Sequence, residues 1–271
     1  MNDAALIAAL PMYDFPWVAE ANDAVWTAIA ARLRAAGCEA PAALARGGDP
    51  AAQWRDPSLI LGQTCGYPYA KDLRDAVALI ATPEYAFPGC EGAAHRSFFV
   101  AQARDPRRGL SEFRGATAAL NAHDSNTGMN LFRAAIAPFA GGASYFSAVV
   151  ATGSHEASLE AVAEGQADLA SIDCVSFALI ERGRPDLIKS VAVVADSPVS
   201  PGLPFIVSGR LPAPTLALVR EALFSALADP ALARARAALG LTGARPAAPR
   251  DYARVLEIER DAAAAGYPRL E

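Results

Sequence analysis

Histidine and cysteine are scarce in this chain, three and four among 271 residues, and that scarcity removes several chemistries at once. Cys38, Cys65, Cys90 and Cys174 form no Cys-x-x-Cys pair and share no ligand-like spacing with a histidine. Neither a zinc site nor a disulfide framework is expected, and the thiols read as reduced or mostly buried. No metal and no cofactor is expected. A basic excess is also missing, because 24 Lys and Arg stand against 29 Asp and Glu for a net charge of -5. Such a chain has no general attraction to nucleic acid or to an anionic membrane, so any anion site must be local. Long apolar runs are absent too: Arg, Asp or Glu interrupts every Ala-rich stretch before the roughly 20 residues of a spanning helix, and no membrane insertion is expected. The start, Met1-Asn2-Asp3-Ala4, lacks the basic and apolar regions of a secretory leader. The expectation is a periplasmic protein if a leader has been removed, and otherwise a cytoplasmic one.

What the chain does have is a 53% hydrophobic composition and a repeated order of strand, polar turn and helix, enough for one large or two medium globular domains. Residues 6–12 read as a buried strand, followed by a loop bearing Tyr13, Phe15 and Trp17 and a helix over 22–36 that stops at Gly37. Residues 59–62 form a second strand, and Gln63-Thr64-Cys65-Gly66-Tyr67-Pro68-Tyr69 is a loop with aromatic side chains at its tip. Further strands are expected over 77–82, 97–103, 116–121, 146–151, 168–172, 190–195 and 205–208, with helices over 129–139, 156–164, 214–228, 230–239 and 249–265. The alternation predicts an α/β fold of parallel-rich sheets covered on both faces. The spacing divides it into two lobes, one from 1–95 plus 196–271 and one from 96–195 inserted between, joined by a hinge beside an interlobe cleft.

The most informative stretch is Ser125-Asn126-Thr127-Gly128, a tight polar turn between a strand and a helix. Two hydroxyls, one amide and the N–H groups of a helix start form an anion cradle there, where the helix dipole also favours negative charge. The same residue types cap helices for structural reasons alone, so spacing leaves both roles open. His155 and Asp173 stand at the next two such turns: the histidine is either a ligand or an exposed polar residue, and the aspartate either a ligand or a cap. Cys65 has no base named by the sequence and is not expected to be a nucleophile, while His95 and His123 read as surface or hinge residues.

Residues 118–128, then 153–168 from Gly153-Ser154-His155 onward, then Ile172-Asp173, resemble the phosphate/phosphite/phosphonate-binding proteins of ABC importers, and residues 62–68 fit the first-lobe loop of that family. The resemblance implies a type II periplasmic-binding fold whose lobes close over a small anionic ligand, an ABC permease as partner, and no catalysed reaction. It implies ligand contacts from Ser125, Asn126, Thr127, Gly128 and His155, with Asp173 at the far end and Tyr13, Tyr67 and Tyr69 closing as a lid. An acid at Asp173 hints at a zwitterionic ligand. Asn126 and Thr127 depart from the small-hydroxyl arrangement of parts of the family. Two other classes share the architecture: a cytoplasmic ligand sensor, and an enzyme for which His155 with Asp173 is the pair that sequence offers.

Overall fold

Proline and glycine set where the elements stop in this computed structural model, which describes residues 5–271. The chain start on which the leader expectation rests lies outside the described residues. The first strand is only Ile7–Ala9, because Pro11 opens a 3-10 turn at Pro11–Tyr13. The helix Ala19–Ala35 ends just before Gly37, whose φ of 78° is a backbone region that side chains resist.

Two compact units emerge, Met1–Ala86 with Gly202–Tyr252, and Phe87–Pro201 with Ala253–Glu271. The first holds a five-stranded sheet in the order Ile7–Ala9, Leu59–Gln63, Phe205–Ser208, Val77–Tyr85, Leu241–Pro246. Only its first pair is parallel; the other three are antiparallel. The second unit holds a sheet in the order Ala148–Ala151, Thr117–Leu120, Leu169–Asp173, Ser97–Gln102, Val191–Asp196. Here the first three strands run parallel and the last two pairings are antiparallel. The parallel-rich expectation is thus corrected to mixed sheets. Antiparallel pairing arises where Ser97–Gln102 and Phe205–Ser208 enter each sheet from a crossing segment rather than after a covering helix.

The tail also departs from the sequence reading, which places 253–271 in the first lobe. Ala262 and Tyr267 lie in the core cluster of the second unit with Phe99, Phe132, Tyr145 and Phe146. Backbone N–H groups of Tyr145 and Phe146 donate to the Glu271 carbonyl at 2.6 and 3.1 Å. Covering Tyr267 to 2% exposure contributes about 2 kcal/mol of apolar burial, which the sequence pattern of an amphipathic helix does not assign to either lobe.

Three parallel strands bring their carboxyl ends to one edge of the second sheet. Residues 121–128, 152–155 and 173 are the turns at that edge. Ser97 opens an antiparallel neighbour and is in register with Asp173, which adds it to the same edge.

Candidate functional site

The turn after Thr117–Leu120 opens its helix in an unusually wide first turn. Asn126–Asn130 is a π-helical segment that runs directly into the α-helix Leu131–Ala140, three residues earlier than the sequence start at 129. The Asn130 N–H donates to the Ser125 carbonyl at 3.0 Å, and Ser125 Oγ accepts from the Gly128 N–H at 2.9 Å. Ser125 therefore caps the helix. The first N–H groups of a helix fall outside its own hydrogen-bond ladder, and the positive end of the dipole lies there.

Two serines fix the height of this turn. Ser97 Oγ donates to the Thr127 carbonyl at 2.8 Å and Ser171 Oγ donates to the same oxygen at 2.5 Å. With its carbonyl so held, Thr127 presents Oγ1 at 3.2 Å from His155 Nε2. Gly128 stands where no side chain fits, since a built Cβ would meet Asn121 Oδ1 at 1.7 Å. Asn126 faces inward: its Nδ2 donates to Ser200 Oγ at 2.8 Å and its Oδ1 accepts from Asn130 Nδ2 at 3.0 Å. Asn130 Nδ2 also donates to the Val255 carbonyl at 3.0 Å, and Arg133 donates to Asn130 Oδ1 at 2.6 Å and to the Pro268 carbonyl at 3.0 Å. This buried ladder anchors the turn to the tail. Sequence reasoning missed Asn130, Arg133, Ser97, Ser171 and Ser200; Asn126, Asn130 and Arg133 do share helical spacing, the one signal that pointed to them.

His155 begins the helix His155–Ala163, whose cap is Ser154. Burial lowers the basicity of its ring below that of ordinary histidine, although the nearby Asp173 charge works in the opposite direction. Asp173 caps the helix Cys174–Gly183 through the Ser176 N–H at 2.8 Å and holds His95 Nδ1 at 3.0 Å with its other oxygen. Both partners are almost wholly buried, at 2% exposure each. Burial alone would push Asp173 up, but His95, His155 and the Ser176 N–H together outweigh it and the carboxyl lies below its usual range. His95 moves the other way: burial disfavours its charge, the Asp173 carboxylate more than offsets that, and the net shift is upward. Of the two roles the sequence leaves to His95, surface or hinge, its burial excludes the surface one. The hydrogen-bonded acid–imidazole pair is Asp173 with His95, rather than Asp173 with His155.

In the first unit, Tyr13, Tyr67 and Tyr69 are all buried. Tyr13 meets Tyr85 edge to face at 5.5 Å, and Tyr69 meets Tyr252 at 5.0 Å. The Tyr67 hydroxyl accepts from Lys71 Nζ at 3.0 Å. Tyr13 and Tyr67 follow the parallel strands Ile7–Ala9 and Leu59–Gln63, so both occupy the carboxyl edge of the first sheet. Residues 66–73 form one helical stretch, an α turn at Gly66–Pro68 followed by a π segment at Tyr69–Leu73.

Among the described residues no group of three or more His, Cys, Asp or Glu is arranged to hold a metal ion, and no helix is long and apolar enough to cross a membrane.

No curated protein matches the chain. Among solved structures, a binding-protein component of an ABC phosphonate transporter from Pseudomonas aeruginosa aligns with a TM-score of 0.78 and 16% identity, covering 97% of this chain and 88% of that one. PhnD1 of Prochlorococcus marinus, in complex with methylphosphonate, aligns at 0.75 and 12% identity over 94% and 97%. A Xanthomonas citri protein bound to ATP aligns at 0.73 and 17% over 97% and 98%. At these identities the likeness is one of fold, the two-lobed fold of periplasmic binding proteins. The family model of the periplasmic phosphonate substrate-binding proteins of ABC transporters matches residues 59–252, well over half of the sequence, and the chain belongs to that family.

Proposed function

We propose that the protein binds a small phosphonate or phosphate-like anion at the Ser125–Gly128 helix start for delivery to an ABC permease, in the periplasm, without turning it over. The observation that carries this reading is the meeting of Thr127 Oγ1 and His155 Nε2 at 3.2 Å beside the opening turn of a helix. A hydroxyl, an imidazole and first-turn N–H groups supply the directed donors that a tetrahedral oxyanion accepts, and the helix dipole adds favourable charge. Ser125 supports the site by capping, and Gly128 by leaving room. Tyr13, Tyr67 and Tyr69 are proposed as further ligand contacts.

The state of Asp173 narrows the ligand. One of its oxygens holds the Ser176 N–H and the other holds His95, so its charge already has a buried partner. An ammonium group reaching for this carboxylate would leave His95 buried and charged beside a second cation, a costly arrangement. The ligand proposed is therefore a compact phosphonate without an amino group, and the zwitterionic hint carried by an acid at this position is set aside. Isothermal titration calorimetry with methylphosphonate, aminoethylphosphonate and inorganic phosphate tests this. Methylphosphonate is expected to bind at least about tenfold more tightly than aminoethylphosphonate, a difference of about 1.4 kcal/mol. Tighter binding of the amino compound would overturn the assignment of Asp173.

A further inference from the structure

We propose that Cys90 and Cys174 form an oxidisable dithiol, a modification site at which a low-molecular-weight disulfide such as oxidised glutathione closes an internal Cys90–Cys174 bridge. The two sulfurs lie 3.6 Å apart although 84 positions separate them in sequence. A disulfide spans about 2 Å, so side-chain rotation of the order of 1.5 Å brings the pair to bonding distance.

The backbone around them is built for this approach. Gly89 has a φ of 89°, and a Cβ there would meet Cys174 Cβ at 2.9 Å, Phe98 Cζ at 3.0 Å and Arg96 Cγ at 3.1 Å. Only glycine lets the loop lie so close to Cys174. The Cys90 N–H donates to the Phe87 carbonyl at 3.1 Å, and the Cys174 N–H donates to the Arg96 carbonyl at 3.1 Å, which pins both cysteines to one local framework of the second unit.

Exposure assigns each thiol its part. Cys90 is half-buried and within reach of solvent, while Cys174 is fully buried at the first position of its helix. The hydrogen bond from Cys174 lowers the pKa of the Cys90 thiol, against a burial effect that raises it, while that bond and burial raise the pKa of the Cys174 thiol. The Cys90 thiolate is the nucleophile. It attacks one sulfur of oxidised glutathione, the glutathione S–S bond breaks, and one glutathione thiolate leaves. Cys174 then attacks the Cys90 sulfur of the mixed disulfide, the Cys90–glutathione S–S bond breaks, and the Cys174 proton goes to the second glutathione as it leaves. Two protein thiols are oxidised to one disulfide and one glutathione disulfide is reduced to two thiols.

The bridge would tie the segment leading to His95 to the residue after Asp173, the two members of the buried ion pair. It does not depend on the ligand reading. The test is peptide mapping by mass spectrometry after incubation of the native protein with oxidised glutathione, trapping of free thiols with N-ethylmaleimide, and digestion without reductant. A Cys90–Cys174 cross-linked peptide that disappears on reduction is the expected result, with Cys38 and Cys65 recovered outside any internal bridge. In Cys90→Ser the expected result is Cys174 recovered without a glutathione adduct, because it is buried. A stable glutathione adduct on Cys90 in the native protein, or both thiols recovered as maleimide adducts, would overturn the proposal.

Discussion

Gly128→Ala is the sharpest perturbation of the proposed anion site, because the substitution ordinarily helps a helix. In an open helical position, glycine costs about 1 kcal/mol relative to alanine, so the change should stabilise. At this position a built Cβ lies 1.7 Å from Asn121 Oδ1, 2.9 Å from Asn121 Cγ and 3.1 Å from Ser125 Oγ. The Asn121 carboxamide must swing away by more than an ångström. Its Oδ1 is buried with no hydrogen-bond partner in the structure, so moving it breaks no such bond at that atom and the cost is steric. Overpacking of this kind costs about 1–3 kcal/mol, which outweighs the helical gain and leaves Gly128→Ala destabilised by about 1 kcal/mol. Asn121→Ala removes the obstruction. In that background Gly128→Ala should recover the helical gain, so the double-mutant cycle should show a coupling of about 2 kcal/mol, well above the additivity error. Urea unfolding of the four proteins, followed by circular dichroism, measures it. A coupling below about 0.5 kcal/mol would refute the packing argument for why glycine occupies this turn.

The Thr127 hydroxyl is expected to donate to the anion: Thr127→Ala should weaken methylphosphonate binding about tenfold, and Thr127→Ser should restore it in calorimetric titration. Asn130→Ala removes bonds to Asn126, Val255 and Arg133 and strands buried acceptors and a guanidinium, so a loss of about 2–4 kcal/mol is expected in chemical unfolding. The Asp173–His95 pair makes a signed pH prediction. His95 is raised, so its contribution to stability is complete below the unfolded value of about 6.5 and is lost as pH rises through the folded value. Asp173 is depressed, so its contribution is complete above the unfolded value near 3.8 and is lost as pH falls through the folded one. Stability should therefore decline as pH rises above about 6.5, and His95→Gln should flatten that decline; an unchanged slope would contradict the pairing. His155 is depressed, so its own contribution is lost on the acid side and does not confound the comparison.

Much of this organisation is legible in the sequence where the signal is local. The polar turn at Ser125–Gly128, the helix opened by Ser154 and His155, and the strand that ends in Asp173 each follow from an apolar run, a capping residue and a glycine stop. The strand Leu241–Pro246 escapes notice because its Gly243, Arg245 and Pro246 oppose strand propensity. It forms only because Val77–Tyr85 offers a long antiparallel edge. His95 escapes notice for a different reason: its burial depends on Asp173, 78 positions away, and no local pattern encodes a charge partner at that separation. The π opening of Asn126–Asn130 is likewise tertiary, set by Ser97 and Ser171 holding the Thr127 carbonyl. Membership of the family rests on the whole-family match rather than on any one of these residues.

The proposed position of the phosphonate anion is the helix start bearing Thr127 and Gly128, within reach of His155. Amide NMR of the labelled protein titrated with methylphosphonate addresses it most directly. The largest saturable shifts are expected on the backbone amides of Asn126, Thr127 and Gly128 and on the His155 ring. Saturable shifts confined to other turns, with these amides unmoved, would contradict that position.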